Sequence, residues 1–262
     1  MDAAVSIRGA EPWSTVGVGV RARTAVVVVH GFTTSPIVTR PLGQHLAAAG
    51  YTIEVPLLPG HGTSHHDLAE TRYDDWAGAV ARLLDHFGAR CDQVVLIGHG
   101  LGGTIALDLA SQRPQDVAAL VVINPRLSPP ARVRQRSVGV LHRLFPLLPR
   151  AIIGLPPDDV ALDGVEQQAY AWVPTRAARS LWAALPRVHS QLPSVVAPLL
   201  VVRSPQDRTV AESDGRQVLE GAGSWHTEEL LCTSSHHVPQ LDVDAVEVAT
   251  TIDRFLDTVL AG

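Results

Sequence analysis

The sequence predicts an α/β protein built on a mostly parallel central sheet with helices on both faces. Three observations predict it. Short β-branched runs alternate with longer segments of helical periodicity. The runs are almost continuously apolar, which suits strands covered on both sides rather than strands with one wet face. The chain of 262 residues is long enough for one large domain with a substantial core.

Taken in order, the strands are placed at Thr24–His30 (TAVVVVH), Thr52–Pro56, Val94–Gly98, Ala118–Ile123, Leu199–Arg203 and Thr227–Cys232. Helices are placed between and after them at about 39–49, 73–88, 101–112, 212–220 and 243–260. In the last, Val246, Ala249, Ile252, Phe255 and Val259 recur every three or four residues and define one apolar face. From about Pro125 to Pro193 no convincing strand is found. That stretch holds six arginines before Gly154, then the acidic, proline-rich run Leu155-Pro156-Pro157-Asp158-Asp159, then QQAYAWVPTRAARSLWAAL. It is expected to form a helical cap, residues 126–193, inserted into a single core domain made of 1–125 and 194–262. Such a cap would overlie the C-terminal edge of the sheet, where open α/β sheets bind ligands.

Composition narrows the chemistry. The apolar share is 46%, the charged share 18% and the net charge −5, an ordinary globular balance with no surface suited to nucleic acid. All 21 basic residues are arginine, so a Schiff-base lysine and a phosphate-loop lysine are both excluded. Cys91 and Cys232 alone make neither a disulfide framework nor a zinc set. The opening MDAAVSIRGAEPWS lacks a basic segment leading into an apolar one, and no apolar run approaches the ~20 residues of a membrane span. A cytoplasmic protein is expected.

The reactive residues gather at strand ends. VVLIGHGLGG (94–103) carries Gly98-x-Gly100-x-Gly102, the spacing of the nucleophile elbow, with glycine at the centre. Gly98, Gly100 and Gly103 also satisfy a dinucleotide-binding pattern. That pattern here follows the third strand instead of opening the chain, and it leaves the other strand-end motifs unexplained. After the first strand stands His30-Gly31-Phe32-Thr33, after the fifth SPQDRTV with Asp207, and after the last SSHHVPQLD with His236 and His237. In a parallel sheet all these ends lie on one side. Taken alone, Asp207 reads as a turn or helix-cap residue; the downstream histidine motif gives it another reading. His61 reads as a loop histidine with local hydrogen bonds. The pairs His65-His66 and His236-His237 have no carboxylate cluster with them, so no metal site is expected. The apolar stretch 138–149 (VGVLHRLFPLLP) suits an acyl-chain tunnel, a lipid-surface contact or simple packing of the cap.

In order along the chain, HGFTTSP (30–36), LPGHG (58–62), GHGLGG (98–103), RSPQDRTV (203–210) and SHHVPQLD (235–242) make it resemble the α/β-hydrolases of the bacterial carboxylesterase and monoacylglycerol-lipase branch, over about residues 24–260. The resemblance implies the α/β-hydrolase fold and a Ser-His-Asp acyl-transfer mechanism. By it, Asp207 is the triad acid and His237 the base, since the branch has Ser-x-His-Val followed by Leu-Asp. The oxyanion hole falls to the backbone N–H groups of Phe32 and Leu101. His99, beside the elbow, and Leu144 and Phe145, in the apolar stretch, are the candidate substrate-binding residues. A small acyl ester or monoacylglycerol is the expected substrate, and no cofactor or metal is implied.

The departure is Gly100, where the branch has serine: an engineered or recent Ser→Gly change. Without an activated hydroxyl no acyl-enzyme can form, so the chain is expected to be inactive or nearly so. Two alternatives stay open. The chain is a natural non-hydrolytic homologue, using His237 for isomerase-, lyase- or cyclase-like acid/base steps, or it binds a ligand without chemistry.

Overall fold

The computed structural model describes residues 7–129, 152–154 and 158–260. Its main sheet contains β1 (Trp13–Thr15), β2 (Thr24–Val29), β3 (Thr52–Val55), β4 (Gln93–His99), β5 (Ala119–Ile123), β8 (Leu199–Arg203) and β9 (Thr227–Leu231). Their spatial order is β1-β3-β2-β4-β5-β8-β9. β1 runs antiparallel to β3, and every other pairing is parallel. The described helices are α1 (Arg40–Ala48), α2 (His65–Ala69), α3 (Tyr73–Gly88), α4 (Leu101–Gln112), α5 (Thr175–Ser190), α6 (Glu212–Gly221) and α7 (Ala245–Leu260).

The apolar runs are explained by two cores, one on each face of the sheet. Along β2, Ala25, Val27 and Val29 enter the core beneath α3, α4 and α5, while Val26 and Val28 enter the core beneath α1 and α7. Along β4, Val94 and Leu96 face one way and Val95 and Ile97 the other; β5 and β8 divide in the same manner. Successive side chains point to opposite faces of a strand, so a strand covered on both sides must be apolar throughout. β9 departs from this: it is an edge strand whose residues alternate between exposed and half-buried.

Two strand assignments need correction. β1 was not anticipated, because three half-exposed residues carry no readable period. The stretch Pro125–Pro193, expected to lack strands, contains β6 (Ile152–Gly154) and β7 (Trp172–Pro174), paired antiparallel as a separate two-stranded ribbon. They are too short for an alternation test. α5 lies in the same stretch, yet Ala177, Leu181, Ala184, Leu185 and Val188 belong to the apolar cluster of α3 and α4. Asp108 on α4 accepts hydrogen bonds from Tyr73 Oη on α3 and Arg187 Nη2 on α5, both at 2.9 Å. α5 therefore packs into the body of the molecule.

Candidate active site

β4 and α4 meet at Gly100, which adopts φ 53° and ψ −110°. Its N–H donates to the Ile123 carbonyl at 2.9 Å, and its own carbonyl accepts from Thr104 N at 3.1 Å. The glycines around it differ in what they require. A Cβ on Gly98 would collide with the Gly102 backbone, and one on Gly102 with the Val29 carbonyl, so strand and helix can turn this tightly only with glycine there. A Cβ on Gly100 would meet nothing closer than His237 Nε2, at 3.6 Å. Residue 100 thus sits in the conformation that favours glycine, while its side-chain direction opens onto an imidazole.

That imidazole belongs to a held pair. His237 Nδ1 lies 2.8 Å from Asp207 Oδ2, with both side chains buried. Asp207 Oδ1 accepts from Thr209 N at 2.7 Å and Val210 N at 2.8 Å. Burial works against the Asp207 carboxylate, but the His237 charge, the His237 hydrogen bond and the two backbone N–H groups outweigh it. The carboxyl accordingly stays below its ordinary range. An ionised Asp207 fixes the proton on His237 Nδ1 and leaves Nε2, which faces residue 100, free to accept one.

The main chain of His237 is pinned as firmly. Its N–H donates to the Asp159 carbonyl at 3.1 Å. Its carbonyl accepts from His99 Nε2 at 3.0 Å and from Asn124 Nδ2 at 2.8 Å. His99, the candidate substrate-binding residue beside the elbow, is an interior residue with 1% exposure that holds the backbone of His237. Burial, then the neighbouring His237 charge, pushes its pKa down to about 3, so the ring is neutral and Nε2 carries the donated proton.

The loop after β2 completes the arrangement. His30 Nε2 accepts from Leu58 N at 3.1 Å, and its Nδ1 donates to the Gly31 carbonyl at 2.9 Å, tying this loop to the one after β3. Thr33 takes φ 66°, unusual for a residue with a side chain. Gly31 Cα lies 3.8 Å from the Cβ position of residue 100. Among the described residues, neither Phe32 N–H nor Leu101 N–H has a protein acceptor. Leu101 is the first residue of α4, where the helix dipole adds positive potential. The chemistry this favours is stabilisation of negative charge beside residue 100.

His61 does make its local bond, Nδ1 to the Pro59 carbonyl at 3.0 Å, but it is buried against His30, Phe32 and Trp76. Burial lowers its pKa to about 4. His65 and His66 pack ring against ring, 4.1 Å between centroids. Among the described residues, no group of three or more His, Cys, Asp and Glu side chains is arranged to hold a metal ion. Leu144, Phe145 and the rest of 138–149 lie outside the described residues. Sequence reasoning missed Asn124, Asp159 and Asp242. Asn124 follows β5 at the same sheet edge as the motifs, which was the available signal. Asp242 closes the quoted SHHVPQLD, but as a motif letter without a task.

This sheet order, turn and His–Asp pair define a class of protein, and comparison with known proteins agrees. Residues 26–251 match the model of the alpha/beta hydrolase family. The chain is 31% identical to the thermostable monoacylglycerol lipase of Bacillus sp. (strain H-257), over 91% of this chain and 90% of that one. It is 23% identical to a carboxylesterase of Bacillus subtilis (strain 168), over 89% and 92%. Among solved structures, one from work on the metagenome-derived lipolytic enzymes LipS and LipT superposes with a TM-score of 0.87 at 30% identity, covering 96% of this chain and 99% of that one. The monoacylglycerol lipase of Paleococcus ferrophilus gives a TM-score of 0.76 at 18% identity, covering 95% and 99%. The chain belongs to the alpha/beta hydrolase family and has its fold. Relatives matched over nine-tenths of this chain or nearly so include a monoacylglycerol lipase and a carboxylesterase, which supports an ester-hydrolase scaffold.

Proposed function

We propose that the chain is a carboxylesterase- or monoacylglycerol-lipase-like protein in which residue 100 is the nucleophile position, occupied by glycine. One observation carries this reading: a side chain on residue 100 would point at His237 Nε2 from 3.6 Å, and His237 is itself held by Asp207 at 2.8 Å. In the serine-bearing form, His237 takes the hydroxyl proton as the oxygen attacks an ester carbonyl. Asp207 stabilises the resulting imidazolium, and Phe32 N–H and Leu101 N–H receive the oxyanion. His237 then returns the proton to the leaving alcohol. The substrate class is a small acyl ester or monoacylglycerol, on the strength of the relatives' activities. Contact with a lipid surface through residues 138–149 belongs to the same proposal.

With glycine the covalent step has no attacking atom. Loss of the serine from such a triad costs on the order of 10⁶ in turnover, leaving roughly 10³–10⁴ over water from binding and the oxyanion hole. The chain as it stands is therefore inactive or nearly so on esters. The intact His237–Asp207 pair also supports a second reading, acid/base chemistry on a bound ligand without a covalent intermediate. The deciding experiment compares the chain with Gly100→Ser on short and long p-nitrophenyl esters and with a fluorophosphonate probe. The expected result is turnover and covalent labelling of the serine form only. A serine form with neither sinks the first reading and leaves the second, and rapid turnover by the glycine form sinks both the inactivity and the role of residue 100.

A further inference from the structure

The stretch from Asp159 to Tyr170 is bonded to the loops after β2, β3, β8 and β9. Tyr170 N–H donates to the Thr33 carbonyl at 3.0 Å, and Tyr170 Oη accepts from Thr63 N at 2.8 Å, so the segment holds the loop after β2 and the loop after β3. Asp242 is buried, and its carboxylate accepts four N–H groups. Ala161 and Leu162 of the segment donate at 2.8 Å, as does Val243, and His236 donates at 2.9 Å. Burial opposes the charge of Asp242, yet the four donors prevail and keep its carboxyl below the usual range.

Asp159 makes the most consequential contact. Its Oδ2 accepts from Arg208 N at 2.8 Å and Thr209 Oγ1 at 3.0 Å. Arg208 and Thr209 belong to the turn whose N–H groups at 209 and 210 hold Asp207 Oδ1. Its backbone carbonyl accepts the His237 N–H, and its Oδ1 lies 3.4 Å from His236 Nδ1. One buried residue, 5% exposed, is therefore bonded at once to the loop of the acid and to the loop of the base.

We propose that Asp159 is a positioning residue: it fixes the separation and alignment of Asp207 and His237 from the side of the inserted segment. This rests on the reading of those two residues as the acid–base pair. Within a sheet, β8 and β9 set where the two loops begin, but nothing in the strands fixes how far the loops splay beyond their ends. A carboxylate that receives one loop through its side chain while its main chain receives the other closes that gap. Misplacement of about 1 Å in such a pair can cost on the order of 10²-fold in rate.

The test uses the chain as it stands and does not require ester turnover. The imidazole ¹⁵N shifts of His237, assigned with His237→Gln, report its tautomer and the Nδ1–H hydrogen bond to Asp207. Asp159→Ala is expected to move them toward an averaged tautomer mixture. Asp159→Asn, which keeps an oxygen for Arg208 N and Thr209 Oγ1, is expected to hold the parent values. Should the alanine form not fold, Thr209→Val removes one bond to the same carboxylate and is expected to shift them less, in the same direction. In the Gly100→Ser enzyme, Asp159→Ala should lower kcat by roughly 10–100-fold with KM changed by less than about 3-fold. Rescue by asparagine separates positioning from bulk stability. Unchanged His237 shifts in both Asp159→Ala and Thr209→Val overturn the proposal, as do alanine and asparagine forms that shift alike. An inactive Gly100→Ser enzyme with the expected shifts overturns the functional reading and not this one.

Discussion

His99 Nε2 lies 3.0 Å from the carbonyl oxygen of His237, 138 residues further along the chain. The residue just before Gly100 thus holds the backbone of the imidazole that faces residue 100. Replacing it with phenylalanine removes that donor and leaves the His237 carbonyl with Asn124 alone. The expected cost is about 1–3 kcal/mol of stability, read by urea unfolding. An equally stable variant would show that Asn124 suffices.

Adding a side chain at residue 100 should be separable into strain and chemistry. At φ 53° and ψ −110° any L-residue is strained, at a cost of order 1–3 kcal/mol. Gly100→Ala and Gly100→Ser should therefore lower Tm alike, by roughly 2–10 °C for a domain of this size, while only serine gains ester hydrolysis. Calorimetry on the two variants checks this; an alanine form as stable as the parent would mean that the turn relaxes.

The neighbouring glycines should behave differently. A Cβ at 102 would strike the Val29 carbonyl, a backbone atom with nowhere to move. Gly102→Ala is expected to lose more than about 4 kcal/mol or fail to fold, as judged by circular dichroism and solubility. Tolerance of alanine at 102 comparable to that at 100 would contradict the packing described.

Acid should unfold the protein from a higher pH than its carboxylates alone would set. His61 and His99 fall from the ordinary imidazole value of 6.5 to about 4 and about 3 because burial disfavours their charged forms. Below pH 6.5 the unfolded chain takes up these protons and the folded chain does not. Stability is thus full above that value and falls as pH drops, by about 1.4 kcal/mol per pH unit for each ring. Asp207 and Asp242, held below the usual range, add their loss at still lower pH, as they protonate in the fold. Urea midpoints between pH 7.5 and 5 measure the slope, which His61→Asn should shallow. A flat profile would be the contrary result.

How much of this was legible beforehand follows from what each residue does. Strands covered on both faces announce themselves, because every position must be apolar; β2, β4, β5 and β8 are plain in the sequence. The glycine cluster is plain too, by its elbow spacing, although the backbone contacts that require Gly98 and Gly102 appear only in the fold. β1, β6 and β7, at three residues each, are fixed by their partners and carry no period of their own. The site divides in the same way. Asp207 and His237 stand in motifs at strand ends, whereas Asp159 does its work through distant partners, and no local pattern records a carboxylate that bonds residues 49 and 50 positions away. His99 was visible beside the elbow, but its partner was not: the His237 carbonyl it bonds lies 138 residues further along the chain.

The elbow keeps its backbone angles although residue 100 supplies no side chain to use them. The hold comes from the Ile123 carbonyl, Thr104 N and the glycines on either side. Residue 100 therefore has room for a side chain, at the cost of backbone strain, in a frame held by its neighbours. A thiol or a tethered reactive group installed there would start from a Cβ 3.6 Å from the same imidazole, so on the reading proposed above new reactivity can be tried at one codon without redrawing the architecture.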